Sequence, residues 1–113
     1  MDFDAVLIPA RKEAMLKQGY WFNQTILDFL RSAVEKNPDK TALVSVKVEH
    51  QTEQTFSYQQ LWEMTNKIAL GLKQLGVEKN DVVSCQLPNW WEFTLLYLAC
   101  SRIGAVLLSL IHI

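Results

Sequence analysis

The feature that most constrains the fold of this chain is a segment, residues 90–103, that is apolar on almost every face of a helix. Its apolar members are Trp90, Trp91, Phe93, Leu95, Leu96, Tyr97, Leu98, Ala99, Cys100 and Ile103. A helix without a polar face lies in the interior of a large protein or at an interface. A chain of 113 residues offers too little other structure to bury such a helix on every side. We therefore expect this chain to be incomplete as a domain.

Strand patterns flank the apolar helix on both sides. Residues 82–87 and residues 105–107 are short runs rich in Val and Leu. Asn89 and Glu92 have the spacing of a capping box at the start of the helix, and Gly104 is placed to end it. The three elements predict a βαβ unit with parallel strands and a right-handed crossover.

The upstream part of the chain predicts a β-hairpin. Residues 41–48 are dense in Val, Leu and Thr, and residues 54–57 form a second short run. The polar link between them, residues 50–53, is longer than a two-residue turn. The pattern therefore predicts two antiparallel strands joined by a loop.

Three further helices are expected, at residues 10–18, 25–36 and 57–75. Asn23 or Thr25 can cap the second, and Ser57 with Gln60 fits a capping box on the third. The fold class is therefore α/β, a β-hairpin plus a βαβ unit with packed helices.

The first of these helices is basic and leaves two interpretations open. Arg11, Lys12 and Lys17 either form a solvated face that packs loosely on a larger body or face a membrane surface. The apolar face, made by Ala10 and Ala14 with Met15, is weak, which favours the solvated face.

Charge and cysteine content exclude several classes of protein. Eleven Lys and Arg against twelve Asp and Glu leave no basic excess to neutralise phosphates, so no nucleic-acid partner is expected. Cys85 and Cys100 are too few for a disulfide framework and predict small buried hydrophobes in a reducing compartment. The acidic start and the lack of an apolar run of about 20 residues predict a cytoplasmic protein without a transmembrane segment.

The residue types that carry catalysis are scattered along the sequence. The four glycines match neither of the common phosphate-loop patterns. His50 and His112 have no Cys or His near them in sequence that would suggest a metal site or a nucleophile pair. We therefore assign no catalytic, cofactor-binding or metal-ligating residue to this chain.

One local candidate site lies where the strand at residues 82–87 passes into the apolar helix. Its residues are Leu87, Pro88, Asn89, Trp90 and Trp91. Ligands of open α/β sheets bind outside the carboxyl ends of strands, a helix N-terminus favours an anion, and two tryptophans can wall an apolar pocket. The alternative, which we favour, is that Asn89 is only a cap and both indoles pack in the core.

An ordered set of motifs resembles the N-terminal end of the adenylate-forming acyl-CoA synthetases, the AMP-dependent synthetase/ligase family. The motifs are residues 37–43 (NPDKTAL), 55–61 (TFSYQQL), 72–77 (LKQLGV), 81–83 (DVV), 87–93 (LPNWWEF), 98–100 (LAC) and 104–106 (GAV). A finer resemblance, to the cyclohexanecarboxylate-CoA ligase and medium-chain acyl-CoA ligase type, is carried by residues 3–11 (FDAVLIPAR) and 85–91 (CQLPNWW).

The resemblance implies a fragment of an ATP-dependent carboxylic acid–CoA ligase. In that reaction a carboxylate attacks the α-phosphate of ATP to give an acyl-adenylate and pyrophosphate, and the thiol of CoA then displaces AMP to give a thioester. Mg²⁺ assists the first step. The family's phosphate loop and catalytic lysine lie downstream, so ATP, Mg²⁺, CoA and the acid belong to the full-length protein, and the fragment alone is expected to be inactive. The alternative is a small stand-alone α/β binding or interaction module.

The end of the chain departs from the family pattern. Residues 1–107 are expected to be the N-terminal portion of the ligase domain, whose pattern would continue with a polar-proline turn. Residues 108–113 read LSLIHI, the in-frame translation of a transposon end used in sequencing libraries. We expect these six residues to be a non-native tail, the alternative being an ordinary strand end.

Overall fold

The computed structural model describes residues 8–110. Its elements are α1 (Pro9–Lys17), α2 (Ile26–Lys36), β1 (Thr41–Lys47), β2 (Thr52–Ser57), α3 (Tyr58–Gln74), β3 (Val82–Cys85), α4 (Trp91–Ile103) and β4 (Val106–Ser109). A single 3₁₀ turn, Val48–His50, follows β1. The α/β class and the order of the elements are confirmed. The motif residues 3–7 and the tail residues 111–113 lie outside the described residues.

The strands form two separate two-stranded sheets. In the first, β1 and β2 are antiparallel, with Leu43 opposite Phe56 and Lys47 opposite Thr52. In the second, β3 and β4 are parallel and joined through α4. Both the predicted hairpin and the predicted parallel pair are therefore present.

The second sheet differs from the prediction at its ends. β3 stops at Cys85 rather than residue 87, because its ladder with β4 ends where Cys85 lies opposite Ser109. The Leu110 N–H donates to the Cys85 carbonyl at 2.8 Å and closes that end. β4 begins at Val106 and includes Leu108 and Ser109, the first two residues of the expected tail.

Two capping boxes begin α2 and α3. At α2 the Asp28 carboxylate accepts hydrogen bonds from the Thr25 N–H at 2.8 Å and from the Thr25 hydroxyl at 2.9 Å. These bonds lower the pKa of Asp28, so the stability they provide is lost as the pH falls through that pKa. At α3 the Gln60 side chain accepts from the Ser57 N–H, and Ser57 Oγ accepts from the Gln60 N–H, as predicted.

α4 occupies the centre of the core. Leu95 and Leu98 of this helix pack against leucines of α2 and α3, namely Leu27, Leu30 and Leu61. Leu95 and Ala99 are completely inaccessible to solvent. The predicted apolar helix is thus the element around which α2 and α3 pack.

Gly104 ends α4 in the left-handed conformation, with φ of +75°. A Cβ at this position would lie 2.9 Å from Cγ of Lys79, so a side chain would meet both backbone strain and a close contact. The predicted stop at Gly104 is therefore confirmed and has a specific steric cause.

Much apolar surface is left uncovered. Parallel strands are normally buried on both faces, yet Val82 of β3 and Leu108 of β4 are exposed. On β1, Val44 and Val46 also face solvent. The sequence predicted too little cover for the apolar helix, yet of its large apolar side chains only Tyr97 is exposed, at 42%. The uncovered valines and Leu108 lie on the strands instead.

None of the helices between residues 8 and 110 is long and apolar enough to cross a membrane.

We predict that Ser57→Ala lowers the free energy of unfolding by about 1 kcal/mol, because the first turn of α3 loses a bond to its free N–H groups. Urea unfolding followed by circular dichroism measures this. Ser57→Thr keeps a capping hydroxyl and is the matched control. Equal losses in both variants would show that the cap is not the cause.

Candidate functional site

The candidate site lies between the end of β3 and the start of α4. Leu87, Trp90 and Trp91 are half-buried, whereas Pro88 and Asn89 are exposed. The Trp90 N–H donates to the Pro88 carbonyl at 2.7 Å, so the chain turns sharply just before the helix. The two tryptophans are thereby placed at the first turn of α4.

The predicted cap at Asn89 is wrong by one residue. Trp90 is the N-cap of α4, and its side chain makes no capping hydrogen bond. The Trp91 N–H instead donates to Oγ of Ser45, which lies on β1, at 3.1 Å. A hydroxyl from the hairpin therefore serves the helix N-terminus in place of a local cap, which explains why the capping box fails here.

A lysine from the same strand lies between the tryptophans. The Lys47 ammonium pairs with the Glu92 carboxylate and lies 4.3 Å from the ring centroid of Trp90 and 5.5 Å from that of Trp91. The Lys47 side chain is only 17% exposed, and that of Glu92 is 33% exposed. We call these four residues, Lys47, Trp90, Trp91 and Glu92, the lysine clamp. They join the β-hairpin to the start of α4.

Between residues 8 and 110, the Glu92 carboxylate of the clamp is satisfied through only one of its two oxygens. A helix N-terminus attracts negative charge, and Glu92 in the first turn supplies it. Lys47 neutralises that carboxylate through Oε1, whereas Glu92 Oε2 is buried and has no hydrogen-bond partner among the described residues. The first turn of α4 therefore already carries a negative charge of the chain's own, which lowers its attraction for a further anion.

The two tryptophans differ in their role. Trp91 packs against the core and against Phe56 of β2, with ring centroids 5.3 Å apart. Trp90 covers Lys47 on one side and lies 6.1 Å from the ring of His50. Both indoles are used in packing, which favours the packing interpretation over a pocket wall.

Ser45 and Lys47 were not predicted as residues of this site. A signal for them was present in β1, where Ser45 and Lys47 alternate with Val44 and Val46. Ser45 is buried although it is polar, and Val44 and Val46 are exposed. A strand that turns its polar side inward indicates partners for those polar groups, here the Trp91 N–H and the Glu92 carboxylate.

Both cysteines are free. Cys100 is buried, and this burial raises the pKa of its thiol, so the unreactive protonated form is favoured. Cys85 is half-buried. Between residues 8 and 110 the side chains form no group of three His, Cys, Asp or Glu that could hold a metal ion. His50 is exposed beside Trp90, and His112 lies outside the described residues.

The family model and the curated relatives that match this chain point to the same family. The model of the AMP-binding enzyme family matches residues 30–111. The chain is 34% identical over 101 residues to the medium-chain fatty-acid–CoA ligase of Escherichia coli K12, covering 89% of this chain and 17% of that ligase. It is 36% identical over 90 residues to the propionate–CoA ligase of the same organism, covering 76% and 14%.

Solved structures show the same fold. The fatty acid AMP ligase from Legionella pneumophila superposes with a TM-score of 0.69 at 21% identity, over 75% of this chain and 14% of that one. A fatty acyl CoA synthetase from Mycobacterium tuberculosis gives a TM-score of 0.65 at 28% identity, over 76% and 16%. The chain thus has the fold of the N-terminal portion of an adenylate-forming enzyme and spans about one sixth of such relatives or less.

We predict a favourable coupling energy of about 1 kcal/mol between Lys47 and Glu92, because the pair is partly shielded from water. The measurement is a double-mutant cycle of Lys47→Met and Glu92→Gln in urea unfolding. Lys47→Met alone should also destabilise the fold, since it leaves a half-buried carboxylate without its cation. The exposed Lys67→Met is the control and should change stability little. A coupling energy of zero would show that the clamp does not hold the hairpin.

Proposed function

We propose, since the chain belongs to the AMP-binding enzyme family, that it is the N-terminal part of an ATP-dependent carboxylic acid–CoA ligase. The observation that carries the proposal is the family match over residues 30–111 together with curated relatives that are acid–CoA ligases. The alternative, a stand-alone interaction module, has no comparable support.

The proposed reaction of the whole protein has two steps. The carboxylate oxygen of the acid attacks the α-phosphorus of ATP, and pyrophosphate leaves with the electrons of the broken P–O bond. The sulfur of CoA then attacks the acyl carbon of the adenylate, AMP leaves, and the thiol proton passes to a base. ATP and CoA are thus co-substrates, and Mg²⁺ would neutralise phosphate charge in the first step.

The described residues do not fit a Mg²⁺ site. Mg²⁺ is held through carboxylates and substrate phosphates. The Glu92 carboxylate at the candidate site is already paired with Lys47. We propose that the metal, the nucleotide and CoA bind to other parts of a longer chain.

The proposed acid is medium-chain or alicyclic. Support comes from the medium-chain ligase, which matches 89% of this chain, against 76% for the propionate ligase. Their identities, 34% and 36%, are nearly equal. The extra coverage is thus the main support for the longer acid. We also propose a cytoplasmic location, where ATP and CoA are available.

The proposed role of the described part is to form one side of the ligase domain. Val44 and Val46 of β1 and Val82 of β3 are between 45% and 56% exposed. In a longer chain, further strands and helices would cover these faces. The remainder of its own chain is thus the partner that this part requires for packing.

We predict that the purified 113-residue chain catalyses no ATP–pyrophosphate exchange with any carboxylic acid. The full open reading frame from the source genome, expressed as one protein, should catalyse it with a medium-chain or alicyclic acid. The DNA beyond codon 107 also tests whether residues 108–113 are native. Exchange by the short chain, or a full-length protein that is inactive with every acid, would contradict the proposal.

We predict that the 113-residue chain alone is only marginally stable and self-associates. Fully burying a large apolar side chain is worth about 1.5–3 kcal/mol, and a whole domain is stable by only about 5–15 kcal/mol. The uncovered valines therefore remove a large share of the free energy of unfolding, and the unpaired edges of both sheets favour self-association. Analytical ultracentrifugation and calorimetry measure this. A monomer with a sharp thermal transition would favour a self-sufficient module.

A further inference from the structure

We draw no further inference here: the strongest candidate, the groove between α3 and α4 where Lys73 and Arg102 lie beside Asn66, carries none, because the chain spans only 17% of the medium-chain ligase that it matches and nothing in the structure shows what covers this groove.

Discussion

Burial of α4 is the constraint on which the rest of the structure depends. Leu95 and Leu98 make the contacts that hold α2 and α3 together, and the first turn of the same helix receives the hairpin through Ser45 and Lys47. Its last residue passes through Gly104 into β4, so the parallel sheet is also fixed to it. Loss of this helix would leave two isolated two-stranded sheets, which are marginal in water.

The starts and ends of the helices could be predicted well because they depend on residues that are close together in sequence. Ser57 and Gln60 are three residues apart, and the bonds between them depend on nothing outside that turn. The same holds for Thr25 and Asp28, and for the left-handed stop at Gly104. The ends of β3 were less predictable, since a strand ends where its partner ends, and that partner lies more than twenty residues away.

The contacts of the candidate site could not be predicted in the same way. Lys47 and Glu92 are 45 residues apart, and only the packing of the hairpin against α4 brings them together. Asn89 had the correct residue type and spacing for a cap, but the hydroxyl of Ser45 serves the Trp91 N–H instead. A tertiary contact thus replaced a local one. Such a contact is hard to predict from one sequence, because the two residues are far apart in it.

The orientation of the hairpin follows from comparing the free energy of the Lys47–Glu92 ion pair with that of burying an apolar side chain. An ion pair that is partly exposed contributes about 1 kcal/mol or less, whereas burying one valine contributes about 1.5 kcal/mol or more. The clamp alone could not keep Val44 and Val46 in solvent against the alternative of burying them. The inner face must therefore gain more than the clamp, and Leu43 with Phe56, paired across the strands and packed towards α4 and Trp91, supplies that gain. The valine face then remains exposed, and a strand whose inner face is packed while its outer face is apolar and uncovered has the pattern of a sheet that lies between two layers of structure.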